Sequence, residues 1–525
     1  MPIGKLVRLL QEMGVLNVSG ATGLSSAVAR HGVNLMVLLE FAARLHGDTP
    51  ALIDEEGTVS YSELHRRSEG TAMRLQEEFG IGCGQKVAFL CRNRTSLVTA
   101  LFAASRLGAD VYLLNPDMGH TQLALLLERH RFDLLIHDQD SERLADLLPN
   151  PKPAAVPIMV CMPASDRFPA RRPWKRMAAG RLVLLTGGTT GLPKAVPHQP
   201  SLFNYIDPYL SLLKTMELAR RSNVLIATPL CHGYGLAILL SFAALGKTIV
   251  LSCESGTEQL SALIRTHSVE VVTVVPVIAE RLLAHEKDNL RSLRCIASGG
   301  APLHPKLARD INAALGPVLF NLYGTSETGL ACMATPQELA IAPGAVGRKV
   351  AGGRLKLVDP SGNEVRTGET GQICMSSSWS MAGRKSKWIE TGDMGYLDEH
   401  GLLHVYGRVD DMIVSGGENV HPSELETLLR THPLIRDTAV VGVPDAEFGQ
   451  RLCAVIDPLS DTLTTAAVTA WLTDRAARYQ MPKTIIFRQI PYTSLGKPDK
   501  KRLRQEMDCN FEICPNNYET ETVFR

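Results

Sequence analysis

The sequence predicts an α/β fold with a large N-terminal region and a small C-terminal module, and three observations support this. From about residue 45, helical patterns alternate with short runs of Val, Ile and Leu, which is typical of largely parallel sheets covered by helices. After Gly347, short strands separated by turn residues predict a small β-rich unit resembling a barrel. Residues 411–505 then mix helices and strands in the pattern of a compact α+β module.

The individual strands are predicted from apolar runs of three to five residues that end at polar or turn residues. The proline-rich, basic stretch at residues 151–181 is predicted to be a surface connection, and two wound halves are expected in the large region. The predicted strands are 87–91, 111–114, 134–137, 183–185, 224–227, 248–251, 271–275, 354–358, 372–375, 402–406, 439–443 and 452–456. The predicted helices of the C-terminal module are 422–430 and 466–478.

Composition and charge limit the possible functions. With 525 residues, 45% hydrophobic and 21% charged, the chain has the composition of a large soluble globular protein. Its formal net charge of +1 gives no reason to expect nucleic acid as a partner. The eleven cysteines form no C-x-x-C pair or zinc-ligand pattern, which fits reduced thiols in the cytoplasm.

The N-terminus lacks the uninterrupted apolar segment of a secretory signal, because charged and polar residues break it up. Apolar residues at helical spacing predict an amphipathic helix over residues 3–16. We expect it to dock on the protein body, with peripheral membrane contact as the alternative. The uncharged stretch at 222–246 is predicted to be a strand, a loop and a buried helix at 236–245 instead of a membrane span, because Pro229, Gly233 and Gly235 interrupt it.

The stretch from Thr186 to Lys194 has the composition of a phosphate-binding loop. Glycines allow a tight turn and close approach to an anion, while threonine hydroxyls and the lysine ammonium supply donors and positive charge. The spacing differs from that of a P-loop NTPase, and a Gly/Thr surface turn stays the alternative. The candidate phosphate-binding residues are Thr186, Gly187, Gly188, Thr189, Thr190, Gly191 and Lys194.

A second polar segment, from Asn321 to Gly329, follows an apolar run and therefore lies where ligands bind at the carboxyl end of a strand. Tyr323 is able to stack on a planar base, and Glu327 is able to hold a hard cation such as Mg2+. The alternative is a polar turn with Tyr323 in the core. The other candidate ligand-binding residues of this segment are Gly324, Thr325 and Ser326.

Two further segments carry charged candidates. Asp393 and Arg408 are predicted to hold the hydroxyls of a ribose and a nearby phosphate or sugar oxygen. Lys497 follows the glycine turn Ser494-Leu-Gly, and for this lysine alone a solvated surface charge is the simpler interpretation.

Taken in this order over residues 45–505, the four segments resemble the adenylate-forming superfamily, which includes acyl-CoA synthetases, aryl-CoA ligases, nonribosomal adenylation domains and luciferases. The resemblance implies that a carboxylate attacks the α-phosphate of ATP to form an acyl-adenylate, after which a thiol displaces AMP. It implies that Lys497 bridges the carboxylate and the α-phosphate, that Glu327 orders Mg2+ and that Lys194 supports the loop around the β- and γ-phosphates. The residues implied to flank the adenine are Tyr323, Gly299, Gly300 and Ala301.

The resemblance also implies two mobile parts. Residues 1–409 form the adenylation domain and residues 411–525 a C-terminal domain that rotates about Asp410 between the two steps. Ser415, Gly416 and Gly417 line a tunnel for the pantetheine arm of CoA, and His232 lies near the acid's carboxylate. For His232, a satisfied core histidine is the alternative.

The segment 407–424 most resembles the CoA ligases for fatty and aryl acids. We therefore expect an ATP-dependent ligase that forms a thioester of CoA with a medium- or long-chain fatty acid. The alternatives are an aryl-acid CoA ligase, transfer to a carrier protein or an amine, and a silent nucleotide or acyl sensor. The expected small molecules are a carboxylic acid, ATP, Mg2+ and CoA, and the oligomeric state stays open.

The sequence departs from the family pattern at three places. Gly187 stands where serine is common, and Ala195 replaces the glycine that follows the lysine. The segment 376–387 is short, which we expect to affect only a nearby loop.

Overall fold

The computed structural model divides into two compact units. The first comprises Met1–Leu355 and Met375–Ile389, and the second Lys356–Cys374 and Glu390–Arg525. The structure describes residues 4, 7–8, 10–11, 16–118, 120–138, 158–160, 175–186, 194–199, 204–253, 256–383, 386–411, 413–415, 418–420, 422–445, 449–473, 475–476, 480–493 and 496–513.

A nine-stranded sheet forms one half of the first unit, in the order β15-β14-β13-β12-β11-β9-β10-β1-β2. The run from β13 to β1 is parallel, whereas β2, β14 and β15 add antiparallel edges. The strands are β1 (Pro50–Asp54), β2 (Gly57–Ser60), β9 (Asn223–Ile226), β10 (Thr248–Leu251), β11 (Val271–Val274), β12 (Cys295–Gly299), β13 (Leu319–Thr325), β14 (Gly329–Ala334) and β15 (Arg348–Lys349).

A six-stranded sheet forms the other half, in the order β6-β5-β3-β4-β7-β8. It is parallel except for the last pair, β7 and β8, which is antiparallel. Both sheets confirm the two wound halves predicted from the alternating pattern. The strands are β3 (Lys86–Leu90), β4 (Asp110–Leu113), β5 (Leu134–His137), β6 (Ile158–Val160), β7 (Leu182–Thr186) and β8 (Lys194–His198).

Helices cover these sheets, and one apolar core joins both halves. The largest cluster of buried side chains includes Phe89 of β3, Ile226 of β9 and residues of two helices, α4 and α7. Because both faces of the parallel strands are covered, their sequences are nearly continuous apolar runs. The helices are α1 (Val18–His31), α2 (Met36–His46), α3 (Tyr61–Phe79), α4 (Thr95–Arg106), α5 (His120–His130), α6 (Ile206–Thr215), α7 (Gly233–Ala244), α8 (Thr257–Thr266), α9 (Pro276–His285), α10 (Pro305–Leu315) and α11 (Pro336–Ile341).

The second unit contains a four-stranded sheet, in the order β16-β17-β18-β19, and a five-stranded sheet that surrounds the long pair β22 and β23. A separate apolar cluster holds the latter sheet against its helices. The strands are β16 (Arg354–Val358), β17 (Gly371–Ser376), β18 (Ile389–Leu397), β19 (Leu403–Arg408), β20 (Ile413–Ser415), β21 (Glu418–Val420), β22 (Ile435–Asp445), β23 (Gly449–Pro458) and β24 (Thr484–Phe487). The helices are α12 (Pro422–Leu429), α13 (Thr465–Thr473) and α14 (Lys500–Ile513).

Three differences from the sequence prediction concern local structure. The connection at 151–181 contains the strand β6, which pairs with β5, instead of being irregular throughout. Helices α1 and α2 precede the point at which alternation was predicted to begin, and the side chain of Asn17 caps α1 by accepting from Gly20 N. Helix α13 ends at Thr473, earlier than the predicted residue 478.

The uncharged stretch at 222–246 forms a strand, a loop and a buried helix, as predicted. In the parts of the chain that the structure describes, no helix is both long enough and apolar enough to cross a membrane. The helix predicted over residues 3–16 lies only partly within those parts, where residues 4, 7–8 and 10–11 are helical.

Candidate active site

The carboxyl ends of two adjacent parallel strands bring the predicted adenine-binding residues together. Gly299, the last residue of β12, is the register partner of Leu322 in β13. Gly300 and Ala301 therefore follow their strand beside Tyr323. Tyr323 is half-buried and pairs in register with Cys332 of the antiparallel neighbour β14.

Two of the glycines at this edge have separate structural reasons. A Cβ added to Gly324 would lie 2.2 Å from the carbonyl oxygen of Gly329, so only glycine fits the close turn at the bulge after Tyr323. Gly300 has φ +79°, and the nearest atom to an added Cβ is 3.7 Å away on Val275. The backbone there has a conformation that favours glycine, and the missing side chain leaves space at the strand ends.

The polar segment after β13 is a turn that is closed by its own side chains. Thr328 Oγ1 accepts a hydrogen bond from Thr325 N at 3.1 Å and lies 3.2 Å from Thr325 Oγ1. Thr328 is buried, and its hydroxyl also reaches the carbonyl of Gly329 at 3.0 Å. The hydroxyl of Thr325, a predicted ligand-binding residue, therefore also takes part in the turn. Thr328 is a structural residue that the sequence interpretation missed.

Glu327 lies at the tip of this turn and is half-buried. Its backbone carbonyl accepts from Met381 N at 2.8 Å, which fixes the main chain that carries the carboxylate. A carboxylate held on a fixed turn beside polar main chain is a ligand of the type that a hard cation prefers, so Glu327 suits Mg2+.

A buried histidine also holds the turn. His198 Nε2 lies 2.7 Å from the carbonyl oxygen of Ser326, and Tyr205 Oη lies 2.9 Å from His198 Nδ1. Burial lowers the pKa of His198, against the raising effects of the Ser326 and Trp379 carbonyls and the Glu327 charge. The neutral imidazole therefore donates from Nε2 to Ser326 and accepts at Nδ1 from Tyr205.

The short segment at 376–387 packs against the same turn. Trp379 is buried, and its indole nitrogen donates to the carbonyl of Leu330 at 3.1 Å. Ala382 N donates to Pro197 O at 2.8 Å, beside His198 on β8. The segment thus does more than form a loop near the site, because it supports the Glu327 turn.

The ends of the glycine loop are held opposite each other. Thr186 pairs in register with Lys194 across the antiparallel strands β7 and β8, and the Lys194 side chain is exposed. The loop residues Gly187, Gly188, Thr189, Thr190 and Gly191 lie outside the described residues.

The segment that leads to His232, the residue predicted to lie near the acid's carboxylate, is held in place from the other sheet. Asn93 follows β3; its amide group donates to Thr228 O at 3.0 Å and its carbonyl oxygen accepts from Leu230 N at 2.8 Å. His232 then occupies the N-cap position of α7 with an extended backbone, and its side chain is half-buried. The sequence did not indicate Asn93, because its partners lie more than 130 residues away.

Tyr234 connects this segment to β12, which precedes the predicted adenine-binding residues. Its hydroxyl donates to the carbonyl of Ala297 in β12 at 2.6 Å. Burial raises the pKa of Tyr234 well above its ordinary value, so the hydroxyl keeps its proton for that bond. A Cβ at Gly299 would lie 3.6 Å from the Tyr234 ring, which places the ring directly beside the end of β12.

In the second unit, the predicted ribose residues are neighbours. Asp393 of β18 and Arg408 of β19 are register partners, and Arg408 Nη1 lies 3.5 Å from Asp393 Oδ1. The Asp393 side chain is 14% exposed, whereas that of Arg408 is 50% exposed, so the carboxylate is sheltered and the guanidinium is accessible. Thr391 supports the pair, because its hydroxyl accepts from Asp393 N at 3.1 Å.

Lys497 belongs to the same unit, and the charges of Asp393 and Arg408 act on its ammonium group. Thr493 N donates to Lys497 O at 2.8 Å, which closes a turn containing Gly496 at φ +65°. Lys497 is exposed overall, yet desolvation by the surrounding chain lowers the pKa of its ammonium group. The Asp393 carboxylate opposes that effect and Arg408 adds to it. The structure therefore brings Asp393, Arg408 and Lys497 within electrostatic reach of one another.

The predicted CoA tunnel and hinge lie at the margin of the described chain. Gly416 and Gly417 are outside it, and only the backbones of Ser415, at the end of β20, and of Asp410, in a short 3-10 turn, are described. Their roles stay predictions.

Comparison with known proteins decides the family. The model of the AMP-binding enzyme family matches residues 39–383, and the model of the AMP-binding enzyme C-terminal domain matches residues 424–497. The chain belongs to the AMP-binding enzymes. This assignment confirms the resemblance to the adenylate-forming superfamily and makes the chain an AMP-forming ligase.

Curated relatives of this AMP-binding enzyme act on aromatic acids. The indoleacetate–CoA ligase of Aromatoleum aromaticum is 32% identical over 509 residues, which cover 90% of this chain and 98% of the relative. The 2-succinylbenzoate–CoA ligase of Bacillus velezensis is 29% identical, over 84% of this chain and 91% of the relative.

Solved structures confirm the predicted fold. An amide bond synthetase from Marinactinospora thermotolerans matches with a TM-score of 0.80 and 26% identity, over 90% of this chain and 99% of its own. The o-succinylbenzoate CoA synthetase of Bacillus subtilis matches with a TM-score of 0.77 and 26% identity, over 90% and 97% of the two chains. That enzyme has also been solved with ATP and a magnesium ion. The CoA ligases of this family use ATP, Mg2+ and CoA, so the cofactor prediction is confirmed.

Proposed function

We propose that this AMP-binding enzyme activates an aryl carboxylic acid with ATP and transfers the acyl group to CoA. The observation that carries the proposal is the 32% identity to an indoleacetate–CoA ligase along 98% of that enzyme. The fatty acid expected first from the sequence has less support than the aryl-acid alternative, since the succinylbenzoate ligases are aryl-acid enzymes as well. The candidate site residues are compatible with the adenylation chemistry that fatty-acid and aryl-acid ligases share.

In the first step, an acid oxygen attacks the α-phosphorus of ATP and the bond to pyrophosphate breaks. Negative charge collects between the two reactants and the leaving group, so fixed cations contribute most to the rate. Lys497 would hold the carboxylate and the α-phosphate together, and Lys194 would stabilise the departing pyrophosphate. Glu327, on its anchored turn, would hold the Mg2+ that neutralises phosphate charge.

We propose separate groups of residues for the base and for the sugar of the nucleoside. Tyr323 and the backbone at 299–301 would flank the adenine, where Gly300 leaves space. Asp393 is sheltered and ionisable, so it would accept hydrogen bonds from two ribose hydroxyls, while Arg408 donates to an oxygen beside it.

In the second step, the CoA thiol attacks the acyl carbon and AMP leaves. We propose that the C-terminal part rotates about Asp410 for this step, which withdraws Lys497 and brings Ser415, Gly416 and Gly417 to the acyl-adenylate. The small residues would leave room for the pantetheine arm.

The acid would lie along the segment braced by Asn93. His232 starts the helix α7, whose N-terminus carries partial positive charge suited to a carboxylate. The partly buried ring of Tyr234 lies beside the end of β12 and provides an apolar face there. An aromatic acid gains more from stacking on such a ring than a flexible alkyl chain does.

Transfer to an amine is the second candidate function. It is favoured by the amide bond synthetase, which covers 90% of this chain at a TM-score of 0.80. Both functions share the adenylation step and differ only in the acceptor that takes the acyl group.

An acid panel tests the proposal. We expect pyrophosphate release with arylacetic or benzoic acids in the presence of ATP and Mg2+, and a CoA thioester detected by mass spectrometry. The Lys497→Ala variant serves as the inactive control. A thioester formed faster with alkanoic acids than with every aryl acid would refute the aryl assignment, whereas an amide formed in place of the thioester would favour the second candidate.

A further inference from the structure

Two N-terminal helices, α1 and α3, place three potential metal-binding side chains together, outside the predicted nucleotide-binding residues. His31 ends α1, and His65 and Glu69 lie one turn apart on α3. One ligand atom of each of these three residues lies within 4.8 Å of those of the other two. In the described parts of the chain, no other group of three His, Cys, Asp or Glu residues meets this condition.

The polar atoms of this group are buried without hydrogen-bond partners. They are His31 Nδ1, His65 Nε2 and Glu69 Oε1. The His31 side chain is fully buried, and that of His65 is 16% exposed. Burying a polar atom without a partner is unfavourable, so three such atoms in one place point to a ligand that satisfies them.

The Glu40 carboxylate orients the imidazole ring of His31. His31 Nε2 hydrogen-bonds to Glu40 of α2, which leaves Nδ1 as the nitrogen able to bind another group. Histidines that bind metals typically donate their second ring nitrogen to a carboxylate in this way, which fixes the ring and its tautomer. Glu40 is held in turn by Arg44 and, at 3.4 Å, by Arg30.

We propose that His31, His65 and Glu69 bind a divalent first-row transition-metal ion, for which zinc is the probe used here, and that this ion joins α1 to α3. Two histidines and one glutamate form a common ligand set for zinc, with water in the fourth position. This ion would be distinct from the Mg2+ of the nucleotide site, which needs oxygen ligands.

The charges around the group have both signs: Glu40 and Glu69 attract a cation, whereas Arg30, Arg44 and Arg106 repel one. Arg106 is buried close by and feels the charges of both carboxylates. Its guanidinium disfavours a second cation, but two carboxylates offset part of that repulsion.

Metal titration of the full-length protein tests the site. After dialysis against a chelator, we expect the wild type to bind one zinc ion per chain, and cobalt to give the strong visible absorption of a four-coordinate site. His65→Gln and Glu69→Gln should each weaken zinc binding at least about tenfold. Glu40→Gln should weaken it about 10- to 100-fold, because it removes the support of a ligating histidine.

Two matched variants separate this site from other metal binding. His130→Gln changes a partly buried histidine outside the group, and Glu327→Gln removes the proposed Mg2+ ligand. Both should keep the zinc stoichiometry of the wild type. Wild-type protein that takes up no zinc at 100 µM, or variants of His65 and Glu69 that bind it as the wild type does, would overturn the proposal. Because the test measures metal content and absorption, its failure leaves the proposed ligase activity intact.

Discussion

His198 and Ser326 are joined by a hydrogen bond from the imidazole Nε2 to the backbone carbonyl, at 2.7 Å, although they are 128 residues apart in the chain. His198 ends β8, the strand that leaves the glycine loop, and Ser326 precedes Glu327 in the turn after β13. The bond therefore connects the segment proposed to hold the β- and γ-phosphates with the residue proposed to hold Mg2+.

Removing this connection should slow adenylation. We expect His198→Ala to lower the rate of acid-dependent pyrophosphate release about tenfold, because losing a buried hydrogen bond costs about 1–3 kcal/mol and each 1.4 kcal/mol is a factor of ten. His198→Gln, whose amide is able to donate to Ser326, should recover part of the loss. An exposed histidine variant, His285→Ala, is the control, and equal rates in His198→Ala and the control would refute the role.

The same histidine should make stability depend on pH. Burial lowers the pKa of His198 in the folded protein, so the unfolded chain takes up this proton more readily. The contribution to stability is therefore complete above the unfolded pKa of about 6.5 and is lost as the pH falls through the folded pKa. We expect the melting temperature of the wild type to fall more than that of His198→Gln between pH 7.5 and 5. Parallel curves for the two proteins would contradict this sign.

Lys497→Ala should separate the two half-reactions. If Lys497 bridges the acid and the α-phosphate, its removal should lower adenylation at least about 100-fold, since a preorganised charge contributes several kcal/mol to the transition state. Thioester formation from a supplied acyl-adenylate should stay within about threefold of the wild type. Lys501→Ala, an exposed lysine nearby, is the control. Equal losses in both half-reactions would argue against the assigned role.

Asp393→Asn tests the ribose site. The wild type should prefer ATP to 2′-deoxy-ATP, because a carboxylate accepts from the hydroxyl that the analogue lacks. In the variant we expect the KM for ATP to rise about tenfold or more and the preference to narrow, since hydrogen bonds to charged groups contribute about 1.5–3 kcal/mol. Competition between the two nucleotides in the pyrophosphate assay measures this. An unchanged preference would exclude contact with the 2′-hydroxyl.

Gly417→Leu should produce the reverse pattern to Lys497→Ala. A branched side chain in the proposed tunnel would obstruct the pantetheine arm, so thioester formation should fall strongly while acid-dependent pyrophosphate release persists. Gly256→Leu is a suitable control, because an added Cβ there meets no atom within 4 Å. Thioester formation by Gly417→Leu at the normal rate would count against the tunnel.

The sequence predicted the parallel sheets well because strands buried on both faces are written as unbroken apolar runs. The bounds of β5 and β10 agree with the prediction at both ends. Helix α1 was missed because it is rich in glycine and serine, which have low helix propensity, and depends on its Asn17 cap and on packing such as Gly23 against Phe41.

Residues of the candidate site were predictable only where they belong to a local sequence motif. Asp393 and Arg408 were predicted together, and the strand register makes them neighbours. His198, Trp379 and Asn93 were not found, because each acts on a segment distant in sequence and carries no local pattern. Thr328 lay inside a recognised motif, but its role depends on how the turn closes.

The hydrogen bonds of Asn93 limit the ways in which the substrate preference of this enzyme is able to change. Its amide group binds the main chain at Thr228 and Leu230, so the segment proposed to line the acid pocket is held to both halves of the first unit. Moving that segment to accommodate a different acid would therefore break both hydrogen bonds to Asn93. We therefore expect substrate preference to change through side-chain substitutions that leave this main chain in place. Tyr234 is a suitable first position for such substitutions.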